Sequence, residues 1–363
     1  MNDSNAHTQR ALPSGDWPVE DLEYLGHCPV CASIKRSLLY ENLQDKIFFA
    51  APGAWKMWRC ADCGVGYLDP RPSTGSIGRA YANYYTHAEV QPKKTYLPRS
   101  NWIARMRQGM RNDYLKAQYG YSLRPTIWGG RFIARVYTLK AYIISCSIRH
   151  LPASTSDRSR LLDIGSGDGA FVRFARDVLG YEAEGLEFDQ QAIEQSREKG
   201  GVIHHGTLPG SGLTPSTYDQ ITLSHVLEHL RDPVAALQEA LALLRSGGRI
   251  WIQVPSLDGA SNVTFGIHSR LLEPPRHLVM FGANTLKCLM EKIGFVRVER
   301  VPTHNPSRHI FLQSWAIAND YDPQSVDWND LPESLQHQAH TTERIYSGIS
   351  PSADTITLIG YKI

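Results

Sequence analysis

Two pairs of cysteines, one glycine-rich stretch and a few histidines are the residues of this chain whose types and spacing could do chemistry. Cys28 and Cys31 in "CPVC" and Cys60 and Cys63 in "CADC" form two C-x-x-C knuckles with 28 residues between them. Four thiolates so spaced suit tetrahedral Zn2+, each pair clipping one side of the ion, and a closed four-thiolate site leaves no open position, so the predicted metal is structural. A redox pair would call for one such knuckle. Cys146 and Cys288 stand alone, and six cysteines in 363 residues are too few for a disulfide scaffold.

The glycine-rich stretch is "LLDIGSGDGAF", residues 161–171, an apolar run that stops at Asp163 and breaks into Gly165, Gly167 and Gly169. Gly165, Gly167 and Ala170 also fit the relaxed fingerprint of a dinucleotide-binding turn, so the loop alone leaves the cofactor open. Three features discriminate. Asp163 puts an acid where a dinucleotide site faces pyrophosphate, whereas the sulfonium and ammonium of S-adenosylmethionine suit a carboxylate. Glu187, 22 residues after Gly165, could accept both ribose hydroxyls of either cofactor. No second Rossmann half follows. Together these favour S-adenosylmethionine.

Methyl transfer from that cofactor needs an oriented acceptor and a base near neutral pKa, which histidine supplies. His225, directly after the strand-like "ITLS", and His277 in "PPRHLVMF" are predicted to face the cofactor as catalytic candidates. His229 in "LEHLRDP" reads as structural. Arg276 and the "HNPSRH" loop (304–309) read as solvated charge, with an anion-holding role as the alternative.

These residues need a frame. Beyond Arg160, short apolar strands alternate with helical segments, which predicts a parallel sheet with helices on its faces. "RLLDIG", "YEAEGLEF", "VIHHG", "YDQITLSHV" and "RIWIQVP" are the strands in order, and "VRVERV" and "TITLIGYKI" are late ones. The expected class is α/β: a Rossmann-like sheet with a small N-terminal zinc ribbon and a helical insert. The predicted divisions are a disordered lead (1–20), a zinc-binding module (21–75), a basic, aromatic-rich lid or substrate region (76–157) and a cofactor domain (158–363).

Net charge is +2, but residues 90–152 hold twelve Lys or Arg against one acid, Asp113. That segment reads as a helical lid facing an acidic surface of the same chain, as the site of a phosphorylated acceptor, or as a face lying on a membrane. No secretory pattern or membrane-spanning run is present, so a cytoplasmic protein is expected.

"LLDIGSGDGAF", "AEGLEFDQQAI", "YDQITLSHVLEHLRDP", "GGRIWIQVP" and "RHLVMFGANTLKCLMEKIGF" resemble, in that order, the successive motifs of class I S-adenosylmethionine-dependent methyltransferases. The resemblance covers roughly residues 158–363. It implies that Asp163 and Gly165, Ser166, Gly167 and Gly169 hold the methionine end, Glu187 the ribose, and Thr207 with Leu208 the adenine edge, with Ser224 also at the cofactor. The N-terminal zinc module is similar to that of deoxysugar C-methyltransferases and of certain ribosomal RNA guanine methyltransferases. A base-methylating enzyme commonly has Asn/Asp-Pro-Pro-Tyr where this chain has "LSHVLEH", so the resemblance favours a small-molecule acceptor, anionic and nucleotide-linked or phosphorylated, over nucleic acid. RNA and lipid-linked acceptors are the alternatives.

Overall fold

The computed structural model describes residues 10–82, 101–154 and 159–363, apart from the side chains of residues 133 and 134. Residues 1–9 of the expected lead, residues 83–100 and 155–157 of the expected lid or substrate region, and residue 158 lie outside the described residues.

The N-terminal region contributes β1 (Leu22–Glu23), β2 (Arg36–Leu43), β3 (Trp55–Cys60), β4 (Gly66–Leu68) and β5 (Arg71–Pro72). Three helices follow, α1 (Trp102–Tyr119), α2 (Gly130–Val136) and α3 (Thr138–Ser147). The alternating unit is then β6 (Arg160–Ile164), α4 (Ala170–Asp177), β7 (Glu182–Glu187), α5 (Gln190–Glu198), β8 (Ile203–His205), β9 (Tyr218–Ser224), α6 (Pro233–Leu243) and β10 (Leu244–Pro255). Last come α7 (Ala260–Phe265), β11 (Val279–Met280), α8 (Ala283–Ile293), β12 (Val296–Arg300), α9 (Ser307–Ala318), α10 (Glu333–Tyr346) and β13 (Thr355–Tyr361).

Seven strands form one sheet in the order β12-β13-β10-β9-β6-β7-β8. β6 pairs in parallel with β7 and β9, so Asp163 lies between Gly185 and Thr222, while β13 runs antiparallel to β10 and β12. The topology reverses beside β6, and the crevice beyond the carboxyl ends of β6, β7 and β9 is where such sheets bind ligands. Local chemistry starts the helices that frame it. Asp189 caps α5 by accepting from the Gln191 N–H, and Asp232 caps α6 by accepting from Ala235 N–H, with Pro233 in the first turn.

The N-terminal region is not a separate bead. β11, from the second half of the chain, pairs antiparallel with β4 and extends the sheet to β11-β4-β3-β2. Met57, Tyr67 and Leu68 share one hydrophobic core with Leu162, Leu223 and Val254. Behind that seam the Arg276 guanidinium, fully buried, donates to both carboxylate oxygens of Asp45 at 3.0 and 2.6 Å, to Glu273 at 3.1 Å and to the Ala80 carbonyl. Arg276 is therefore neither a solvated charge nor an anion holder: it bolts the two regions together. The lead is also shorter than expected, because Trp17 is buried edge-on against Trp55, ring centroids 5.5 Å apart.

α9 and α10, between β12 and β13, were not anticipated. α7 and α10 both pack against α9, and buried Asp354 ties this layer down by accepting from Ser261 and Ser307. The charged loop 304–309 is partly absorbed there: Asn305 is buried and α9 begins at Ser307.

Candidate active site

A cavity of about 980 Å³ opens at the carboxyl ends of β6, β7 and β9. Its first wall is the glycine loop with the end of β7. Gly165, Gly167 and Gly169 all have positive φ, at 66°, 53° and 71°. A Cβ on Gly165 would stand 2.4 Å from Val226 Cγ2 and one on Gly169 2.0 Å from Ser196 Oγ, so the turn is closed to larger residues on both sides. A Cβ on Gly167 would meet nothing within 4 Å, leaving this backbone open to a ligand.

Glu187 completes that wall. One carboxylate oxygen accepts from Gly167 N–H at 2.7 Å, the other from Phe188 and Asp189 N–H at 2.9 and 3.1 Å. Burial raises its pKa, and the three N–H donors work the other way. Gly165, Gly167, Glu187, Thr207, Leu208 and Ser224, the residues assigned to the cofactor from sequence, all line the cavity.

Asp163, Ser166 and Gly169 do not line it. Asp163 sits beneath the loop, 1 % exposed, with one oxygen shared by the Arg149 guanidinium and the Thr222 hydroxyl. Arg149 also stacks on Phe171, its guanidinium carbon 3.6 Å from the ring centroid. The acid expected to face a cationic cofactor thus faces an arginine of the chain. Its other oxygen and the Ser166 hydroxyl are buried without a hydrogen-bond partner. The open Gly167 backbone and the Glu187 carboxylate at the end of β7 fit an adenosyl-methionine ligand in place of a pyrophosphate.

The second wall rises from the turn after β9. His225 has φ 56°, a conformation that costs a non-glycine residue about 1–3 kcal/mol, and its N–H donates to the Gln253 carbonyl at 2.8 Å. The turn aims the half-exposed imidazole into the cavity, with Nδ1 3.5 Å from a Glu228 oxygen. Strain of this kind concentrates at functional positions. His229 lines the same wall. His277 does not: it lies buried behind His229, ring centroids 4.8 Å apart, and burial lowers its pKa to about 4. His277 is out of contact with the cavity as a base.

Tyr81 shares the cavity with His229, its hydroxyl 3.2 Å from His229 Nδ1. Of the expected lid, residues 77, 78, 81 and 82 line the cavity and none of residues 101–154 does. α1 and the end of α3 instead pack beside α4, through Tyr114, Leu115 and Ile148 against Val172 and Ala175, while α2 packs on α1 and α3. Arg149, Tyr81 and Glu228 are the site residues the sequence reading passed over; only Glu228, inside the quoted "LEH", carried a local signal.

The four cysteine sulfurs converge away from the cavity. All lie within 4.8 Å of one another, with Cys28–Cys63 at 3.6 Å and Cys31–Cys60 at 3.5 Å. Zinc–sulfur bonds of about 2.3 Å around a tetrahedron place sulfurs roughly 3.8 Å apart, so the cage fits the ion expected of it.

Fold and site together define a class I, S-adenosylmethionine-dependent methyltransferase domain. Residues 140–300 match the family model described as "Methyltransferase domain". Over 101 residues it is 31% identical to the ubiquinone biosynthesis O-methyltransferase of Aeromonas salmonicida, covering 26% of this chain and 42% of the relative. It is 25% identical over 210 residues to the tRNA U34 carboxymethyltransferase of Syntrophotalea carbinolica, covering 56% of this chain and 58% of the relative. The chain thus spans about two to three fifths of these curated relatives. Among solved structures it is similar to a SAM-dependent methyltransferase from Archaeoglobus fulgidus, with TM-score 0.42, 19% identity, and coverage of 65% of this chain and 100% of that one.

Proposed function

We propose that this chain transfers the methyl group of S-adenosylmethionine to an oxygen of a small acceptor, with His225 as the base. The observation that carries the reading is the single cavity running from Glu187 to His225, whose volume of about 980 Å³ lies at the upper end for small-molecule sites and leaves room for cofactor and acceptor together. When bound, the cofactor supplies an activated methyl and its own leaving group. Glu187 would hold the ribose, Gly165 and Gly167 the methionine end, Thr207 and Leu208 the adenine edge. His225 would take the acceptor proton, a role worth about 10²–10⁴-fold in rate.

The acceptor reading is narrower than the one drawn from sequence. Among the described residues Arg231 is the one Lys or Arg that lines the cavity, and it is tied to Glu23 and to the Pro72 carbonyl. A wall of Ile77, Leu208, Val226 and Leu230 with Ser224 and His225 suits an uncharged, hydroxyl-bearing acceptor better than a phosphorylated sugar. The similarity to ubiquinone O-methyltransferases supports oxygen as the target. Zinc in the four-cysteine cage would hold β2, β3 and β4 in place; one zinc per chain, lost in Cys60→Ser, is the expected metal analysis.

The test is transfer of labelled methyl from S-adenosylmethionine into phenolic, catecholic and sugar-nucleotide acceptors. The proposal expects label in a neutral hydroxylated compound, with turnover falling at least about 100-fold in His225→Ala while cofactor affinity holds. Label confined to sugar nucleotides would restore the anionic reading, and label only in nucleic acid would overturn the small-molecule one.

A second reading rests on the similarity to a tRNA-modifying enzyme and on the face of α1–α3, where Trp102, Trp128 and Tyr137 are exposed among Arg105, Arg107, Arg131 and Arg135. Binding to RNA that weakens steeply with salt would favour it. Among the described residues no helix is long and apolar enough to cross a membrane.

A further inference from the structure

The helical layer α1–α3 takes no part in the cavity, and its surface carries one sign of charge. Residues 101–154 hold nine Lys or Arg and one acid, Asp113. That acid is buried: its carboxylate accepts from the Gly129 and Arg131 N–H groups at 3.2 Å each and so ties the start of α2 to α1. Arg105, Arg107 and Arg135 are exposed and form no ion pair among the described residues. The layer therefore presents cations with no exposed acid of its own between them.

Apolar side chains run beside those cations. On α1, Trp102, Ile103 and Met106 fall within little more than one turn and are all exposed, with Arg105 and Arg107 among them. On α2, Phe132 and Val136 make one i, i+4 row and Arg131 and Arg135 the adjacent one. Trp128 extends the apolar row by meeting Phe132 edge to face, ring centroids 5.4 Å apart. The two helices are fixed to each other. The Ile127 side chain fills the space over Gly109, where a Cβ would stand 2.5 Å from it, and its N–H donates to the Gly109 carbonyl at 3.1 Å. Asn112 donates to the Pro125 carbonyl at 2.8 Å.

Apolar exposure rimmed by charge marks an interaction surface, and three kinds of partner would bring the anions. RNA would stack its bases on rings, but Ile103, Met106 and Val136 have none to offer and Trp128 already commits an edge contact to Phe132. A second copy would bring its segment 309–343, which has six acids and no Lys or Arg, yet carboxylates would leave the apolar rows in water. An anionic bilayer meets both needs, with phosphate headgroups for the arginines, acyl chains for the apolar rows and a boundary that suits tryptophan.

We propose that the α1–α3 face docks on a membrane surface rich in anionic lipid, its apolar rows entering the boundary between headgroups and acyl chains while Arg105, Arg107, Arg131 and Arg135 pair with phosphates. None of residues 101–154 lines the cavity, so docking and cofactor binding are separate events, and the docking does not rest on the methyl-transfer reading.

The test is co-sedimentation of the full chain with vesicles of phosphatidylcholine alone and of equal parts phosphatidylcholine and phosphatidylglycerol. Binding at least about tenfold tighter to the anionic vesicles is expected, weakening as salt rises. Affinity for them should fall at least about tenfold in Arg107→Glu/Arg135→Glu and as much in Trp128→Ala/Phe132→Ala, with melting and S-adenosylhomocysteine affinity unchanged because the side chains exchanged are exposed. Should either double variant fail to fold, Trp102→Ala/Arg105→Glu at the start of α1 carries the same expectation. No binding, equal binding to both vesicles, undiminished binding by the variants, or full displacement by soluble glycerol phosphate overturns the proposal. Single-stranded RNA bound more tightly than the vesicles and lost in the same variants would overturn it in favour of RNA, and salt-sensitive dimers in light scattering, lost in those variants, in favour of a second copy.

Discussion

The two walls of the cavity are finished to different degrees. On the glycine-loop side each Glu187 oxygen is engaged by backbone N–H groups before any ligand arrives. On the histidine side the buried Glu228 carboxylate has no backbone N–H donor, and its charged neighbour is the half-exposed His225, with Nδ1 at 3.5 Å. A saturated wall is preorganised to receive a cofactor at little cost in reordering. A wall whose buried acid faces a half-exposed imidazole instead holds that imidazole at the cavity. The proposed function assigns the cofactor to the first wall and the acceptor to the second.

The contrast can be strained from either side, and the largest effect is expected at the bolt behind the histidine wall. Asp45→Ala leaves Arg276 buried beside a single acid, and removing one partner of a buried pair costs about 3–5 kcal/mol. Denaturant unfolding should show that loss; one under about 1 kcal/mol would mean the bolt carries little. Gly165→Val pushes a side chain into Val226 and forces a branched residue to φ 66°, so calorimetry should find cofactor affinity down about 100-fold or more. Glu187→Gln keeps the shape and removes the charge that three N–H groups and a ribose would share. An affinity loss of about tenfold is expected, near 1.4 kcal/mol, with His225 chemistry untouched.

A separate effect is a pH control outside both walls. His150 is buried, 3.2 Å from the Trp251 indole N–H that it accepts and 2.9 Å from the Pro302 carbonyl to which it donates, and its pKa is lowered to about 4 by burial and then by Arg249. Its folded pKa lies below the unfolded value of about 6.5, so it is neutral in the fold and prefers a proton when unfolded. The stability it contributes is present above pH 6.5 and is lost as pH falls toward 4, by up to roughly 3 kcal/mol. His150→Gln should flatten the fall in melting temperature over that window without changing cofactor affinity; an unaltered slope would exclude it as the titrating group.

How much of this was written locally follows from the same contrast. The glycine loop, Glu187 and the Asp189 cap are short-range devices: each needs a residue type within a few positions of a strand end, and each was legible. The Cys knuckles were legible for the same reason, with the spacing inside each pair fixed by how two thiolates clip one ion. Asp163 was read as a cofactor contact because its position is local, but its partner Arg149 lies outside the motif, and only packing brings the two together. His277 was read as facing the cofactor, yet the pairing of β11 with β4 carries its segment into the seam between the regions. Arg276 and Asp45 are 231 residues apart, and no periodicity links them. α9 and α10 escaped because their anchor, Asp354, is buried by residues from three separate segments.

The most direct test of the account is a crystal structure with S-adenosylhomocysteine. The account predicts the ribose on Glu187, the adenine beside Leu208 and the sulfur turned toward His225 across the cavity. A ligand whose sulfur faces away from the histidine wall, or one seated outside this cavity, would contradict it.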